Sequence, residues 1–296
     1  MSSGSPRSAE PAPGVLYLVG TPIGNLEDLT PRARRVLMEV DHLACEDTRR
    51  AGLLLRALQL KRPLISFHQH NQASRTPQLL ERLAAGESVG VISDAGLPGL
   101  SDPGEELVAA ARQAGREVIC IPGPSAITTA LVSSGLPCGR FCFEGFLPPK
   151  PQRRRERLRE LAGEPRTLVL FEAPHRLVAL LTDLLEVLGD RPLRVARELT
   201  KRHEEQVGPT VGAALAHFRA TPPLGECTLV LGGAPKVAPV WEEADLLEAL
   251  GALMAEGHSA REASQILAER TGQRRRDLYA LLHRGEGSGQ NGEAAP

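Results

Sequence analysis

The sequence has little excess of charge of either sign and few aromatic residues. Its 296 residues carry 35 Lys and Arg against 36 Asp and Glu, a formal net charge of −1. Domains that bind nucleic acids usually carry an overall basic charge, so any basic surface here must be local. Aromatic residues make up only 3% of the chain, which argues against a platform that stacks many bases.

Paired cysteines and long apolar runs are also missing. The five cysteines are scattered and show neither the paired spacing of a zinc site nor the framework of a disulfide-rich secreted domain. We therefore expect reduced thiols and no bound metal in a cytoplasmic protein. The N-terminus lacks the apolar core of a signal peptide, and no run is apolar and long enough to cross a membrane.

The most informative stretch that is present runs from Ser93 to Gly104 and reads SDAGLPGLSDPG. A short apolar run precedes it and a helical pattern follows, which predicts a strand, a long loop and a helix. Its three glycines permit positive φ and a close approach to a ligand, while its two prolines stiffen the backbone. Open α/β sheets bind ligands in such loops at the carboxyl ends of strands. The alternative is a plain connection in which Asp102 only caps the helix.

This loop matches neither of the common phosphate-binding sequences. There is no G-x-x-x-x-G-K-[ST] run, and no G-x-G-x-x-G opens a helix. A ligand gripped by its pyrophosphate is therefore not indicated. Asp94 and Asp102 instead favour a ligand that combines a positive centre with an adenosine or amino-acid part.

Strand and helix patterns alternate through the first half of the chain. Apolar runs predict strands over 15–19, 42–45, 64–67, 88–92 and 117–121. Helices are predicted over 32–40, 76–85, 105–114 and 126–134. Glycine- and proline-rich loops follow three of the strands, near Gly20, Asp94 and Gly123. We therefore predict an N-terminal domain, residues 14–136, with a parallel sheet and one ligand-binding edge.

The second half repeats this alternation after a change of character near Phe141. Strands are predicted over 167–171, 194–197 and 225–232, and charged residues stand at strand ends. They predict a second α/β domain, residues 137–235, that faces the first across a cleft. Before them, the run from Lys150 to Arg159 carries six basic residues. Such density favours contact with phosphates, and the alternative is a solvated helix face.

The C-terminal part is predicted to be a small helical domain. Residues 234–240 form a Pro/Val linker, and three helices follow over 241–256, 260–270 and 274–283. This arrangement, with a basic last helix, is typical of a helix-turn-helix module over residues 241–284, although many three-helix caps look the same. The tails, residues 1–13 and 285–296, are rich in glycine and other small residues and are predicted to be disordered.

Seven motifs occur in the order of a known family. They are LVGTPIGNLEDLTPRA, ACEDTR, VISDAGLPGLSDPG, IPGPSA, FEGFLPPK, FEAPHR and RELTKRHEE. Together they resemble the tetrapyrrole (corrin/porphyrin) methylase family of S-adenosylmethionine enzymes, and within it the 16S ribosomal RNA cytidine 2′-O-methyltransferases. The resemblance covers residues 15–234, and the helix-turn-helix extension of that family matches residues 241–283.

The resemblance implies two α/β domains of the tetrapyrrole methylase type, with S-adenosylmethionine in the cleft, usually as a homodimer. It implies 16S rRNA of the small ribosomal subunit as the substrate. Carried over by motif, the cofactor-binding residues are Asp94, Ala95, Gly96, Leu97, Ser101, Asp102, Ser125 and Ala126, with Phe171, Leu199 and Gly225 at strand ends of the second domain. The family more often has threonine in place of Leu97. A hydrogen bond is lost if that side chain touches the cofactor, and nothing changes if only the backbone does.

The implied reaction moves a methyl group from the sulfonium of the cofactor to a ribose 2′-hydroxyl, which needs no metal. Alignment can supply most of the catalysis, and a general base would help because a neutral hydroxyl is a poor nucleophile. The strand-end candidates for this base are Glu46, Asp47, Glu172, Glu198 and Lys201, of which the last three are the predicted catalytic set. The residues predicted to hold RNA are Arg49, Lys150, Arg153, Arg154, His175 and Arg176.

Two alternatives belong to other functional classes. One is a tetrapyrrole methyltransferase that acts on a small molecule with the same cofactor, and the basic run and the C-terminal module weigh against it. The other is a non-catalytic nucleic-acid-binding protein led by the helix-turn-helix module. Several glycine-rich loops weigh against that reading, because a binding scaffold does not need them.

Overall fold

A computed structural model describes residues 10–235 and 241–286. Residues 1–9 of the predicted N-terminal tail, 236–240 of the predicted linker and 287–296 of the predicted C-terminal tail lie outside this part. The described chain begins within the predicted tail, where Glu10 accepts a hydrogen bond from Arg32 Nε (2.8 Å). The described residues form two compact units, one that ends at Ala234 and one that begins at Pro235. Both sheets lie in the larger unit, so the domain boundary at residue 136 stays a prediction.

The first sheet has five strands, β1 (Leu16–Val19), β2 (His42–Cys45), β3 (Leu64–Ser66), β4 (Val89–Ile92) and β5 (Val118–Ile121). All pair in parallel, in the order β3–β2–β4–β1–β5. The parallel sheet expected from the alternating pattern is therefore confirmed. Because every carboxyl end lies at one edge, the loops after these strands meet there.

Helices cover both faces of this sheet. They are α1 (Pro31–Glu39), α2 (Thr48–Ala57), α3 (Gln72–Ala84) and α4 (Glu105–Gln113), and α5 (Ala126–Ser133) follows β5. Tyr17 packs in one apolar cluster with Val36 of α1, whereas its neighbour Leu16 packs in another with Leu83 of α3 and Leu107 of α4. Successive side chains of a strand point to opposite faces, and both faces are buried here, so β1 has a continuous apolar sequence.

The starts of α1, α2 and α3 show how well local sequence signals predict where helices begin in the larger unit. Thr30 Oγ1 accepts from Ala33 N (3.0 Å) and Pro31 is the first helical residue, so α1 begins within one residue of its prediction. Helix α2 is not among the predicted helices, although Asp47 caps it. Helix α3 begins at Gln72, four residues before the predicted start. Proline is most common in the first turn of a helix, so Pro77 favours a start close to residue 76. In the structure Pro77 lies inside the helix instead.

The second sheet is mixed. Its strands are β6 (Phe141–Phe146), β7 (Thr167–Glu172), β8 (Leu193–Arg197), β9 (Glu205–Val207) and β10 (Cys227–Leu231), in the order β6–β7–β10–β8–β9. Only β6 and β7 are parallel neighbours. Helices α6 (Pro151–Glu160), α7 (Pro174–Leu188) and α8 (Val211–Ala220) complete this part.

Helix α5 packs on the second sheet and so joins the two sheets in one unit. Ile127 and Leu131 of α5 share an apolar cluster with Val169, Ala196 and Val230, which lie on the central strands β7, β8 and β10. Each fully buried apolar side chain of this size stabilises the fold by about 1.5–3 kcal/mol. The carboxyl edge of the first sheet is thereby held against the second sheet.

The described part of the smaller unit contains three helices, α9 (Glu243–Ala255), α10 (Ala260–Thr271) and α11 (Arg275–Glu286). Ser259 and Glu262 form a capping box at the start of α10, as the sequence predicts for Ser259. Leu250, Leu267 and Leu278, one from each helix, are buried together. The α/β fold class with a C-terminal helical domain is thus confirmed.

Candidate active site

A cavity of about 380 Å³ lies in the larger unit, between loops of the two sheets. That volume is in the range of small-molecule and cofactor sites. The first-sheet side contributes Ile23, Glu46, Arg50, Asp94, Ala95, Gly96, Leu97, Leu100, Ser101, Asp102, Ser125, Ala126 and Ile127. The second-sheet side contributes Phe146, Phe171, Glu172, Ala173, Pro174, Ala196, Glu198, Leu199, Lys201, Glu226, Cys227 and Thr228.

All the predicted cofactor-binding residues line this cavity except Gly225. The predicted central loop forms one wall, because Gly96 pairs with Thr21 of the loop after β1. Thr21 N donates to Gly96 O (2.8 Å), and Gly96 N donates to Thr21 O (3.1 Å). The φ of Gly96 is +78°, a value that favours glycine. Contact of these residues with a cofactor stays a prediction.

The loops after β1 and β5 touch backbone to backbone beside this wall. A Cβ placed on Gly20 would lie 2.7 Å from Gly123 Cα, and 3.2 Å from Leu97 Cδ2. A Cβ placed on Gly123 would in turn lie 2.9 Å from Gly20 Cα. The glycines that the sequence shows in these two loops therefore let the adjacent strand ends approach each other.

Carboxyl groups crowd the first-sheet side of the cavity. Glu46 follows β2, Asp94 follows β4, and Asp102 lies at the far end of the central loop. Burial, Glu46 and Asp94 together raise the pKa of Asp102 to about 7. Burial and the charge of Asp94 also raise the pKa of Glu46. Arg50 balances part of this charge, with its Nη1 at 3.3 Å from Asp94 Oδ2.

Glu172 is a buried acid at the end of β7. The residue is 1% exposed, and burial raises the pKa of its carboxyl group. Its Oε1 accepts from Ala173 N (2.9 Å) and lies 3.1 Å from Arg176 Nε. Its Oε2 has no hydrogen-bond partner among the described residues. Because an unpaired buried acceptor is costly, this atom fits a donor supplied by a ligand.

Glu198 and Lys201 form an ion pair on a strained loop after β8. Lys201 Nζ lies 2.9 Å from Glu198 Oε1. Glu198 and Thr200 have φ of +53° and +66°, values that non-glycine residues rarely adopt. Such strain is typical of functional sites. A Cβ on Gly24 would lie 2.5 Å from Lys201 Cγ, so the loop after β1 also needs glycine to accommodate this pair.

The structure separates the five predicted candidates for a general base. Glu46, Glu172, Glu198 and Lys201 line the cavity, whereas Asp47 does not. Asp47 caps α2 instead, accepting from Arg49 N (2.7 Å), and its bonds to Arg49 lower its pKa to about 2. The carboxylate of Asp47 is thus engaged by a helix start and a neighbouring arginine outside the cavity, and its role as a base stays a prediction.

None of the six residues predicted to hold RNA lines the cavity. Arg154 is 4% exposed, and its Nε donates to Asp183 Oδ2 (2.6 Å) of α7. Its predicted phosphate contact is therefore wrong, since a buried carboxylate already neutralises it. Arg176 is half-buried beside Glu172 and donates to Leu147 O (2.8 Å). Exposed side chains remain at Arg49, Lys150, Arg153 and His175, and Arg49 is paired with Asp47.

Several lining residues were not predicted from the sequence. Ala173 and Pro174 lie inside the FEAPHR motif, and Phe146 ends FEGF, so their motifs give a usable signal. Arg50 directly follows the ACEDTR motif. If Asp47 is recognised as a helix cap, Arg50 falls in the first turn of α2. Nothing local distinguishes Glu226, which enters the cavity because β10 lies between β7 and β8.

In residues 10–235 and 241–286, no three His, Cys, Asp or Glu side chains are grouped to hold a metal ion. None of the helices described there is both long and apolar enough to span a bilayer.

Comparisons with known proteins agree with this geometry. The family model of Tetrapyrrole (Corrin/Porphyrin) Methylases matches residues 15–215, and that of the RsmI C-terminal HTH domain matches residues 242–285. A protein of Synechocystis sp. named ribosomal RNA small subunit methyltransferase I is 52% identical over 270 residues, which are 90% of this chain and 97% of the relative. A protein of the same name from Thermotoga maritima is 48% identical over 220 residues, which are 74% of this chain and 99% of the relative.

Solved structures extend the likeness to the fold. The crystal structure of uroporphyrin-III-C-methyltransferase from Thermus thermophilus is 26% identical with a TM-score of 0.53, and the match covers 74% of this chain and 94% of that one. The same enzyme complexed with S-adenosyl homocysteine is 25% identical with a TM-score of 0.50, over 73% of this chain and 96% of that one. This chain belongs to the tetrapyrrole methylase family, in the group whose curated members are named ribosomal RNA small subunit methyltransferase I.

Proposed function

We propose that this chain transfers a methyl group from S-adenosylmethionine to the 2′-hydroxyl of a cytidine in 16S rRNA. The observation that carries the proposal is the acidic cavity, which the motif residues of the family build from both sheets. When bound, the cofactor supplies a methyl carbon that bonds to the hydroxyl oxygen while the carbon–sulfur electron pair stays on sulfur. One proton must then leave the hydroxyl.

The charge of the cavity supports a cationic cofactor. Among the described residues that line it, six carry a carboxyl group: Glu46, Asp94, Asp102, Glu172, Glu198 and Glu226. Two lining residues are basic, Arg50 and Lys201, and each lies beside one of these carboxylates. Such a lining favours the sulfonium and ammonium groups of S-adenosylmethionine. Glu172 Oε2, buried and unpaired, is a further acceptor for a donor of the cofactor or substrate.

The apolar part of the lining supports the rest of the cofactor. Ile127, Phe171 and Leu199 present apolar surface within the same cavity. Ligand sites combine such surface with a few convergent polar groups. The chain would act mainly by aligning the hydroxyl oxygen with the methyl group, and a carboxylate of the cavity would accept the proton.

Exposed basic side chains outside the cavity support an RNA substrate. Lys150 and Arg153 are exposed at the start of α6, as is His175 at the start of α7. In the smaller unit, Arg275 and Arg276 are exposed in the first turn of α11. We propose that these groups contact phosphates of the small ribosomal subunit. We also propose a cytoplasmic homodimer, as the family resemblance implies.

Methylation of a small tetrapyrrole is the second candidate. It is favoured by the likeness of the larger unit to uroporphyrin-III-C-methyltransferase. The C-terminal unit, which matches the RsmI C-terminal HTH domain, and the 52% identity with a protein named as an rRNA methyltransferase weigh against it.

One assay separates the two. The full chain is incubated with S-adenosylmethionine labelled in the methyl group, in parallel with small ribosomal subunits that lack the modification and with uroporphyrinogen III. We expect label in the RNA only, recovered as 2′-O-methylcytidine after digestion to nucleosides. Label on a base would contradict the proposed acceptor atom, and label in the tetrapyrrole would support the second candidate.

A further inference from the structure

Phe146 is an aromatic residue that lines the cavity and is nevertheless 54% exposed. The other aromatic residue among the described lining residues is Phe171, which is half-buried beside it with the two ring centroids 5.6 Å apart. We propose that the exposed face of Phe146 stacks on the base of the nucleotide that is methylated. The inference rests on the proposed function, because it takes RNA as the methyl acceptor.

An irregularity in β6 aims the Phe146 ring toward the cavity. The register of β6 against β7 shifts between Phe143 and Gly145, so Glu144 is an extra residue in β6. Residues three apart in a regular strand point to opposite faces of a sheet. The extra residue instead brings Phe146 onto the face of Phe143, and both rings contact Phe171, at centroid distances of 5.6 and 5.0 Å. Bulges of this kind often re-aim a side chain next to an active site.

The backbone on both sides of Phe146 is held by tertiary contacts. Gly145 has φ of +61°, and a Cβ on it would lie 3.0 Å from Ser101 Oγ of the central loop. On the other side, Leu147 is buried and its carbonyl oxygen accepts from Arg176 Nη2 (2.8 Å). A platform that is already ordered loses little conformational entropy when a ligand stacks on it.

The position of Phe146 favours RNA over the cofactor as the occupant of its exposed face. Strand β6 is at the edge of the second sheet, and Phe146 is its last residue, so the ring lies at the rim of the cavity. Lys150 follows four residues later, which places the two Cα atoms within about 14 Å of each other. Its side chain is exposed and suits a phosphate. Proteins bind unpaired nucleotides with this combination of an aromatic face and a nearby basic group.

A base stacked at the rim would also position the acceptor atom. One ribose carries both the base and the 2′-hydroxyl, so a fixed base restricts where the hydroxyl oxygen can lie relative to the methyl group. A paired base is covered by its neighbours in the duplex, so the target nucleotide has to be unpaired or turned out of its stack. Because every base has a π-face, Phe146 contributes affinity and position and does not select cytosine.

Three substitutions of Phe146 test the stacking. With small ribosomal subunits that lack the modification and saturating S-adenosylmethionine, Phe146→Ala should lower kcat/KM for the particle about 5- to 150-fold, the effect of removing one aromatic–base stack. Phe146→Tyr keeps the ring and should retain most of the activity. Phe146→Leu keeps apolar surface without a ring and should fall nearly as far as Phe146→Ala. Affinity for S-adenosylmethionine, measured by calorimetry, should be unchanged in all three.

Phe141→Ala is the matched control. Phe141 begins the same strand and is 38% exposed, but it is not among the described residues that line the cavity. Its replacement removes a comparable exposed ring, so methylation of the particle should keep the kcat/KM of the wild type. Urea unfolding of the two alanine variants shows whether each keeps its fold.

The possible results are distinguishable. An unchanged kcat/KM in Phe146→Ala overturns the inference, and so does full activity in Phe146→Leu, because apolar surface would then suffice without a ring. Weaker binding of S-adenosylmethionine by Phe146→Ala would make the cofactor the occupant and also overturns it. A wild-type chain that does not methylate the particle contradicts the proposed function itself. If Phe146→Ala does not fold, the contrast between Phe146→Tyr and Phe146→Leu still decides.

Discussion

Gly225 contributes to the cavity without lining it. Its φ is +78°, and a Cβ at this position would overlap Glu198 Oε1. The Glu198 carboxylate is also ion-paired with Lys201. It occupies the space that a side chain at position 225 would fill, so glycine at this position lets both charged groups take up their places. The sequence resemblance assigned Gly225 to the cofactor, whereas the structure gives it a positioning effect on Glu198.

Gly225→Ala should therefore weaken cofactor binding as well as stability. Alanine at this φ costs about 1–2 kcal/mol, and the overlap with Glu198 adds to that. Gly115→Ala is the matched control, because Gly115 has φ of +67° with no atom near the added Cβ. Urea unfolding should show a larger loss for Gly225→Ala, and calorimetry should show weaker S-adenosylmethionine binding in that variant alone. Equal affinity in the two variants would contradict the positioning effect.

Helix α6 carries the basic run, but its arginines do different things. Arg154 and Arg155 both bond to Asp183 of α7, at 2.6 and 2.7 Å, and Arg157 bonds to Glu144 at 2.7 Å. Arg153 is exposed. One face of the helix therefore fastens it to the second sheet and α7, and only the other face is open to a phosphate backbone.

Adjacent arginines of α6 should give opposite results. Arg154→Ala leaves Asp183, which is 2% exposed, with one arginine partner fewer, and removal of one partner of a buried ion pair costs about 3–5 kcal/mol. Arg155 keeps its bond to Asp183 and should hold the loss toward the lower end. Arg153→Ala should leave unfolding unchanged within about 0.5 kcal/mol. It should instead weaken binding to ribosomal RNA and reduce its salt dependence. If RNA binding by the Arg153→Ala variant kept the salt dependence of the wild type, the exposed face of α6 would contact solvent and not phosphates.

Local signals predicted the elements better than the contacts between them. Thr30 and Pro31 are sufficient to start α1, and the glycines and prolines of the central loop are sufficient to indicate a ligand site. Helix α2 was missed because the charges around Asp47 also fit a solvated network. The presence of Glu46 and Asp94 in one cavity needs β2 beside β4, and the burial of Arg154 needs α7 beside α6. Strand order and helix packing determine these two contacts, and local sequence patterns do not predict strand order or helix packing.

At the scale of the whole molecule, a nearly neutral chain concentrates opposite charges in different places. The formal net charge is −1, yet six carboxyl-bearing residues line the cavity and exposed basic residues lie on α6 and α11. The acidic group suits a small cation and the basic groups suit a polyanion. Because the two kinds of charge lie in different places, one chain can bind both a small cation and a polyanion. The net charge of the whole chain does not reveal this separation.

The smaller unit should serve the RNA substrate and take no part in the chemistry. It has a core of its own, in which Leu250, Leu267 and Leu278 are buried, and the residues that line the cavity all lie in the larger unit. The relative from Thermotoga maritima matches over 99% of its own length but only 74% of this chain. A protein with the same name is therefore substantially shorter.

Removal of residues 235–296 should accordingly leave a folded chain that binds S-adenosylmethionine with unchanged affinity. Methylation of the small ribosomal subunit should fall, mainly through a higher KM for the particle. The truncation removes contacts far from the reacting atoms, and such contacts stabilise the bound ground state and the transition state equally. The full chain with Arg275→Gln and Arg276→Gln is the matched comparison, since it keeps the unit and removes only exposed charge. If that variant reproduces most of the rise in KM, the contact is electrostatic. Unchanged kinetics after truncation would contradict a substrate-positioning role, and loss of cofactor binding would show that the smaller unit supports the core.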